Sequence, residues 1–272
     1  MMAGDGVFAD TMAELTWYEA DQAAKSGAIV LWAFGVIEQH GPHLPTGTDV
    51  YLPSARLRRV KKVLAERGVA SVIVPPYYWG VNHASASFPA SFKVRPEIMV
   101  ELVCDVLTSL ADDGYKRVFC TTGHGDSKHN LAIHAAARRS ATETKMDISF
   151  LADEGLIKRL NLDLSDPNVT PVRTHSEPRQ FPDIHAGRNE TSAMLEFYPN
   201  LVRQEKISEL QSVDFSMDQL AEWRRGHEFA KRLTPLGYVG NPGQARLEEG
   251  VRDNEASVLA MVEAIQARIG KG

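Results

Sequence analysis

The sequence predicts an α/β fold in which a mostly parallel sheet carries helices on both faces. Three observations lead to this prediction. Short apolar runs rich in β-branched and aromatic residues recur along the chain, helical patterns lie between them, and glycines or prolines mark the boundaries. Strands that alternate with helices are typical of parallel sheets, because each helix returns the chain to the same edge.

The elements follow in that order along the chain. Four runs are too short for helices and are predicted as buried strands: 28–34, 71–74, 117–121 and 147–151. Helices are predicted between and after them: 52–67, 96–113, 130–142, 217–233 and 255–269. Gly68 and Gly114 are predicted to end the first two helices, and Pro96 to begin the second. We expect one domain over 1–272.

Two segments fall outside this alternation. Residues 161–183 hold four prolines and little apolar periodicity, so about 161–184 is predicted to be a long active-site loop, or else disordered. Residues 235–243, PLGYVGNPG, are predicted to form an ordered turn region.

Composition excludes several classes of protein. The 272 residues are 43% hydrophobic and 24% charged, which is ordinary for a globular chain. A net charge of -5 does not favour binding to nucleic acid, and two cysteines cannot form a disulfide framework. The chain has no membrane-length apolar run, and its first residues lack the features of a signal peptide. We therefore expect a cytoplasmic protein without nucleic-acid or membrane partners.

Histidines and carboxylates are grouped where the first predicted strand ends. The segment 35–49, GVIEQHGPHLPTGTD, contains Glu38, His40, His43 and Asp49. Such side chains bind divalent metals through nitrogen and oxygen. The glycines and prolines between them forbid a simple helix, so a shaped loop is predicted, with a merely solvated polar loop as the alternative.

A second group follows the third predicted strand. His124 and Asp126 lie between glycines, which let the backbone approach a ligand closely. His129 and His134 come later in the same region. They are expected to be first-turn or surface histidines of the next helix.

A third group lies in DIHAGRNETS, residues 183–192, which contains His185 and Glu190. Taken alone, Glu190 is best interpreted as a first-turn acid that complements a helix dipole. Two of the three groups follow predicted parallel strands, and ligands of open α/β sheets bind at the carboxyl ends of strands. We therefore expect the groups to converge.

The converging side chains would hold one or two metal ions. The candidate ligands are Glu38, His40, Asp49, His124, Asp126 and Glu190. Their oxygen and nitrogen atoms, without cysteine, favour a catalytic zinc or manganese site over a structural one. Two ions need a carboxylate to bridge them, and Asp49 is predicted for that position.

The segments EQHGPHLPTGTD, GHGD and HAGRNETS resemble the creatininase (creatinine amidohydrolase) family in order and separation. The resemblance covers roughly residues 12–270. It implies a three-layer α/β sandwich, two divalent metal ions (Zn²⁺ and/or Mn²⁺) and a homo-oligomer, often a hexamer.

The resemblance also implies roles for the metal-ligating residues. Glu38 and His124 resemble ligands of one ion, His40 resembles a ligand of the other, and Asp49 resembles the bridging carboxylate. Family members differ in the acid that completes the second ion's site. In this chain that acid is Asp126 or Glu190, and both remain open.

Proton transfer is implied for three residues. His185 matches the family's active-site histidine, which contacts the substrate and could move a proton. Asp126 or Glu190, whichever is free of metal, could protonate the leaving atom.

The substrate is expected to differ from creatinine. Creatininase covers its flat substrate with tryptophans placed before the HAG motif, and this chain has none between Trp79 and Trp223. A polyhydroxylated or anionic substrate suits the polar residues there better. The candidate substrate-binding residues are His43, Asn82, His83, Arg179, Phe181 and Arg188.

These features predict a metal-dependent hydrolase that opens a small polar cyclic substrate at an amide bond. The first alternative is a C–C hydrolase of a diketo-inositol ring (3-dehydro-scyllo-inosose type), since the family contains such enzymes. The second is a non-catalytic metal- or sugar-binding protein. A nucleotide-binding oxidoreductase is disfavoured, because no glycine-rich phosphate-binding motif follows the first strand.

Overall fold

The computed structural model describes residues 6–174 and 183–270. In these residues a five-stranded sheet has the order β2-β1-β3-β4-β5, and every pairing is parallel. The strands are β1 (Ile29–Phe34), β2 (Ser71–Tyr77), β3 (Arg117–Thr122), β4 (Asp147–Asp153) and β5 (Val169–Val172). This sheet, flanked by helices, confirms the predicted α/β fold.

Ten α-helices connect and follow the strands in the described part of the chain. They are α1 (Trp17–Lys25), α2 (Thr48–Glu66), α3 (Pro96–Asp112), α4 (Ser127–Thr144), α5 (Glu154–Leu160), α6 (Arg188–Phe197), α7 (Gln204–Ile207), α8 (Met217–Trp223), α9 (His227–Leu233) and α10 (Leu247–Ile269). None of the helices described here has both the length and the apolar character needed to cross a bilayer.

Alternate residues of β1 enter two different cores. Val30, Trp32 and Phe34 pack in the core that also holds apolar residues of α3 and α4. Ile29, Leu31 and Ala33 pack on the other face, with apolar residues of α2 and α10. The central strands are therefore buried on both sides, which explains their continuous apolar runs.

The strand order places a switch point between β1 and β3. The chain moves from β1 outward to β2, then returns across β1 to place β3 on its other side. The loops that follow β1 and β3 therefore diverge to opposite faces of the sheet and leave a crevice between them. Crevices of this kind are where open α/β sheets bind ligands.

The structure corrects the predicted elements in four places. β5 lies inside the segment predicted as a continuous loop; it is an edge strand, where Pro171 is tolerated. Helix α2 begins at Thr48, so Asp49 belongs to a helix rather than a loop. The predicted helix 217–233 is two helices separated at Gly226, whose φ is +74°. The last helix begins at Leu247 rather than at residue 255.

His129 and His134 are buried, so the predicted first-turn position holds for His129 and the predicted surface position holds for neither residue. His129 is in the first turn of α4 but is 0% exposed, and its ring packs edge-on to that of His124. His134 contacts the carboxylate of Asp166 at 3.0 Å, which ties α4 to the segment before β5.

Candidate metal centre and its pocket

The buried histidines and carboxylates meet at the switch point of the sheet. Glu38 and His40 lie in the loop after β1, and His124 follows β3. Asp49 is in the first turn of α2, and Glu190 is in the first turn of α6. Four of these five side chains are almost fully buried, and Glu190 is 26% exposed. The predicted convergence of the three groups is therefore what the structure shows.

Asp49 is at the middle of this cluster. Its Oδ1 lies 3.1 Å from Nε2 of His40, and its Oδ2 lies 2.8 Å from Nδ1 of His124. The two carboxylate oxygens thus face two different imidazoles. A carboxylate in this arrangement can bridge two cations.

Three overlapping groups of side chains have ligand atoms within 4.8 Å of one another. They are Glu38–Asp49–His124, His40–Asp49–Glu190 and Glu38–His40–His185. The first two share Asp49, and each of them could hold a metal ion. The third contains His185, whose Nδ1 lies 3.7 Å from Oε1 of Glu38.

The surrounding contacts orient the cluster. Nδ1 of His40 lies 3.1 Å from the carbonyl oxygen of Glu38, which leaves Nε2 for Asp49 and Glu190. The Ser85 hydroxyl donates to Oε2 of Glu38, and the backbone N–H of Ala186 donates to Oε2 of Glu190 at 2.6 Å. Such outer contacts fix the tautomers and rotamers of metal ligands.

The buried imidazoles and carboxylates of the cluster stabilise each other's charged forms. Burial alone would lower the pKa of His40, but the adjacent carboxylates of Asp49 and Glu190 raise it to about 10. Burial would likewise raise the pKa of Asp49, but the two imidazoles hold it far below its usual value. The pKa of His124 lies well above its usual value because Glu38 and Asp49 outweigh its burial. In the metal-free protein, protons on His40 and His124 therefore offset part of the negative charge of the carboxylates.

The donor set fits divalent metal ions. Oδ2 of Asp49 makes no hydrogen bond, although Nδ1 of His124 is only 2.8 Å away. Such a close contact without hydrogen-bond geometry is expected where a lone pair of Oδ2 and the lone pair of Nδ1 both point at a shared cation. The ligand types, imidazole and carboxylate without cysteine, suit zinc or manganese.

Asp126 lies apart from these groups and caps helix α4. Its Oδ1 accepts the backbone N–H of Lys128 at 2.7 Å and that of His129 at 3.3 Å. Its Oδ2 accepts the backbone N–H of His83 at 2.9 Å. The carboxylate therefore joins the loop after β2 to the start of α4.

A cavity of about 460 Å³ opens over the cluster. The residues that line it include Glu38, Asp49, His124, His185 and Glu190. Asp126 and His83 also line it.

The other predicted substrate-binding residues lie elsewhere. His43 is buried with its Nε2 2.9 Å from Oγ1 of Thr191, and burial lowers its pKa to about 4. Asn82 donates to Ser85, and Arg188 pairs with Glu249 at 2.6 Å. In the part of the chain that the structure describes, the cavity is lined by other residues and not by His43, Asn82 or Arg188. Arg179 and Phe181 lie outside the described residues.

Several residues that line the cavity were not predicted from the sequence. One of them is Trp223 at the end of α8, and the centroid of its ring lies 6.1 Å from the centroid of the His185 ring. Three basic side chains also line the cavity: Lys128, Arg159 and Arg224. These residues lie in or directly after the helices α4, α5 and α8, and no local sequence motif marks them as binding residues.

Fold and site together define a class: an α/β protein with a buried histidine–carboxylate centre at the switch point of a parallel sheet. The family described as "Creatininase: Creatinine amidohydrolase" matches residues 13–265. The chain therefore belongs to the creatininase (creatinine amidohydrolase) family, as its motifs suggested.

Relatives in this family have different substrates by name. The creatinine amidohydrolase of Pseudomonas putida is 28% identical over 211 residues, covering 71% of this chain and 74% of the relative. A mycofactocin precursor peptide peptidase of Mycobacterium ulcerans (strain Agy99) is 25% identical, covering 89% and 86%. A 3-dehydro-scyllo-inosose hydrolase of Thermotoga maritima is 24% identical, covering 86% and 70%.

Solved structures share the fold. A crystal structure of creatinine amidohydrolase (creatininase) superposes with a TM-score of 0.71 at 22% identity, covering 94% of this chain and 96% of that chain. A structure named "Creatininase Mn" gives 0.71 at 21% identity, covering 95% and 98%. A zinc–zinc form of a creatininase mutant gives 0.69 at 22% identity, covering 94% and 97%.

Proposed function

We propose that this protein is a metal-dependent hydrolase that opens a small polar cyclic substrate at an amide bond. The observation that carries the proposal is the position of Asp49, whose two oxygens face His40 and His124 on opposite sides. Glu38 with His124, and Glu190 with His40, would complete two ion sites around it. The ions would be zinc or manganese.

Bound ions in such a centre activate water for attack and polarise the carbonyl of a substrate. The protein's own residues would supply proton transfer. Nε2 of His185 lies 2.8 Å from the carbonyl oxygen of Gln39 and 3.0 Å from the side-chain amide nitrogen of the same residue, so Gln39 holds this nitrogen. Nδ1 of His185 is the other ring nitrogen, and it lies 3.7 Å from Oε1 of Glu38 at the cavity. His185 is therefore our candidate to move a proton to the leaving atom.

We assign the last position of the second ion site to Glu190 rather than Asp126. Oε2 of Glu190 lies 3.7 Å from Nε2 of His40, whereas the oxygens of Asp126 accept three backbone N–H bonds. In this proposal Asp126 positions the loop after β2 and has no role in proton transfer.

The metal assignment predicts specific losses of metal. Asp49→Asn should lose both ions, because it touches both sites, whereas Glu190→Gln should lose about one of two. The measurement is metal per chain by mass spectrometry after loading and dialysis. Asp166→Asn, which disturbs the buried His134 contact away from the cavity, is the matched control and should keep full metal content. Unchanged metal in Asp49→Asn would contradict the assignment.

Chelation tests the activity itself. Chelator-treated protein should lose hydrolysis of its substrate, and zinc or manganese should restore it. Activity that survives complete metal removal would contradict a metal-dependent hydrolase. Metal-loaded protein with no turnover over a broad panel of cyclic amides and diketo-inositols would favour a non-catalytic binding protein.

The second candidate is hydrolysis of a ring C–C bond. The Thermotoga maritima relative, named a 3-dehydro-scyllo-inosose hydrolase, favours it. The same activated water would serve both reactions, so the assay panel contains both substrate classes. We also propose that the chain forms a homo-oligomer, a hexamer by family resemblance, which light scattering after gel filtration would measure.

A further inference from the structure

Three solvent-exposed basic side chains from three different elements line the cavity. Lys128 is in the first turn of α4, Arg159 is in the last turn of α5, and Arg224 follows α8. All three line the same cavity as the residues of the candidate metal centre. We call Lys128, Arg159 and Arg224 the cationic rim.

No side chain of the cationic rim forms an ion pair with a carboxylate that the structure describes. Nη1 of Arg159 donates to the carbonyl oxygen of Gly125 at 2.7 Å and to Oγ of Ser127 at 3.2 Å, which fixes this side chain at the cavity. Both contacts are with oxygens of neutral groups, and no carboxylate among the described residues forms an ion pair with Arg159. The side chains of Lys128 and Arg224 make no hydrogen bond or ion pair with any residue that the structure describes.

The carboxylates that line the cavity contact groups other than the cationic rim. Glu38, Asp49 and Glu190 belong to the metal-ligating groups. Asp126 accepts three backbone N–H bonds, and Asp183 accepts those of Arg188 and Asn189. The cationic rim therefore lies beside carboxylates that are already committed to other partners.

The two arginines lie close enough to affect each other. Burial lowers the pKa of Arg159, and the charge of Arg224 lowers it further, while Asp153 and Asp126 oppose the shift. Neighbouring guanidinium groups repel unless an anion joins them. Guanidinium groups match carboxylate and phosphate oxygens in geometry as well as charge.

We infer that the substrate carries an anionic oxygen group, a carboxylate or a phosphate, which the cationic rim binds while the reacting carbonyl lies over the metal centre. The inference rests on the proposed function, since it assumes that this cavity is the substrate site. It narrows the substrate class to small polar molecules with one anionic end.

Binding measurements on matched pairs test the inference. The probes are dihydroorotate and hydantoin-5-acetate, each compared with its own primary amide, and inorganic phosphate alone. They are titrated by calorimetry into metal-loaded and chelator-treated full-length protein. In chelator-treated wild type we expect at least one carboxylate to bind roughly tenfold tighter than its amide, or phosphate to bind measurably. A carboxylate preference identifies one source of the anion, and phosphate binding the other.

The variant R159Q/R224Q should lose this preference. K158Q/R225Q removes two charges from the neighbouring positions and should keep it, because Arg225 stacks on Phe229 and neither residue lines the cavity. R224Q alone guards against misfolding, since the Arg224 side chain makes no hydrogen bond to the described chain. It should reduce the preference in part.

Two outcomes are kept apart by this design. If no carboxylate and no phosphate distinguishes wild type from R159Q/R224Q, the inference is overturned, whatever the protein hydrolyses. If the anion preference is present but chelation leaves turnover unchanged, the inference stands and the proposed metal-dependent hydrolysis fails.

Discussion

The Asp49 carboxylate illustrates how single residues set the chemistry of this protein. A buried carboxylate would be costly by itself, but two imidazoles within 3.1 Å compensate its charge. His185 has a different kind of environment. Its Nε2 is held by a backbone carbonyl, while its Nδ1 is left at the cavity.

The residue-scale prediction concerns His185. His185→Asn should lower kcat by roughly 10²–10⁴-fold, the usual contribution of a general acid or base, and leave metal content unchanged. Loss of metal in this variant would instead make His185 a ligand, through the Glu38–His40–His185 group. His134→Asn removes a buried histidine with its own carboxylate partner outside the cavity, and its kcat should match wild type.

At the scale of elements, the start of α2 is held between the ends of β1 and β3. A Cβ on Gly35 or on Gly123 would lie 2.3 Å from the carbonyl oxygen of Asp49. Only glycine allows this approach, which brings the first turn of α2 down onto the switch point. The location of Asp49 is therefore a consequence of strand ends that lack side chains.

The element-scale prediction is that Gly123→Ala displaces α2. We expect a loss of roughly 1–3 kcal/mol in the free energy of unfolding, typical of overpacking, together with lower metal content. Gly125→Ala lies two residues further along the same loop, where a Cβ meets nothing within 4 Å. It should keep both stability and metal content. Equal behaviour of the two variants would contradict the packing argument.

At the scale of the whole molecule, metal binding and folding should be coupled through pH. In the metal-free protein the pKa of His40 is about 10, above the value of 6.5 expected when the chain is unfolded. Protonated His40 therefore stabilises the folded state below about pH 6.5, and this contribution disappears as the pH rises through about 10. A metal ion would replace the proton at Nε2.

We therefore expect the Tm of chelator-treated protein to fall between about pH 7 and pH 10, and that of metal-loaded protein to fall less. Differential scanning calorimetry at several pH values measures both. Chelator-treated His40→Gln is the control and should show the smaller slope, since other ionisable groups are shared. A steeper fall for the loaded protein would contradict the coupling.

The amino-acid sequence was enough to predict the parallel α/β architecture, the family and the cluster of histidines and carboxylates. Local signals carry these features. Buried strands are continuous apolar runs, and the motifs of the centre lie in loops whose glycines and prolines are conspicuous. The family motifs also implied that Glu38, His40, Asp49 and His124 belong together, and the structure brings these four side chains together.

The other residues around the centre could not be predicted from the sequence, because tertiary packing places them there. β5 escaped prediction because a four-residue edge strand with a proline resembles a loop. The sequence could not show whether Asp126 or Glu190 completes the second ion site. In the structure, backbone N–H groups surround Asp126, whereas Glu190 faces His40. Trp223 and the cationic rim come from the start of α4 and the ends of α5 and α8, and their proximity depends on how these three helices pack over the sheet. Packing brings together residues far apart in the chain, and no local pattern records such proximity.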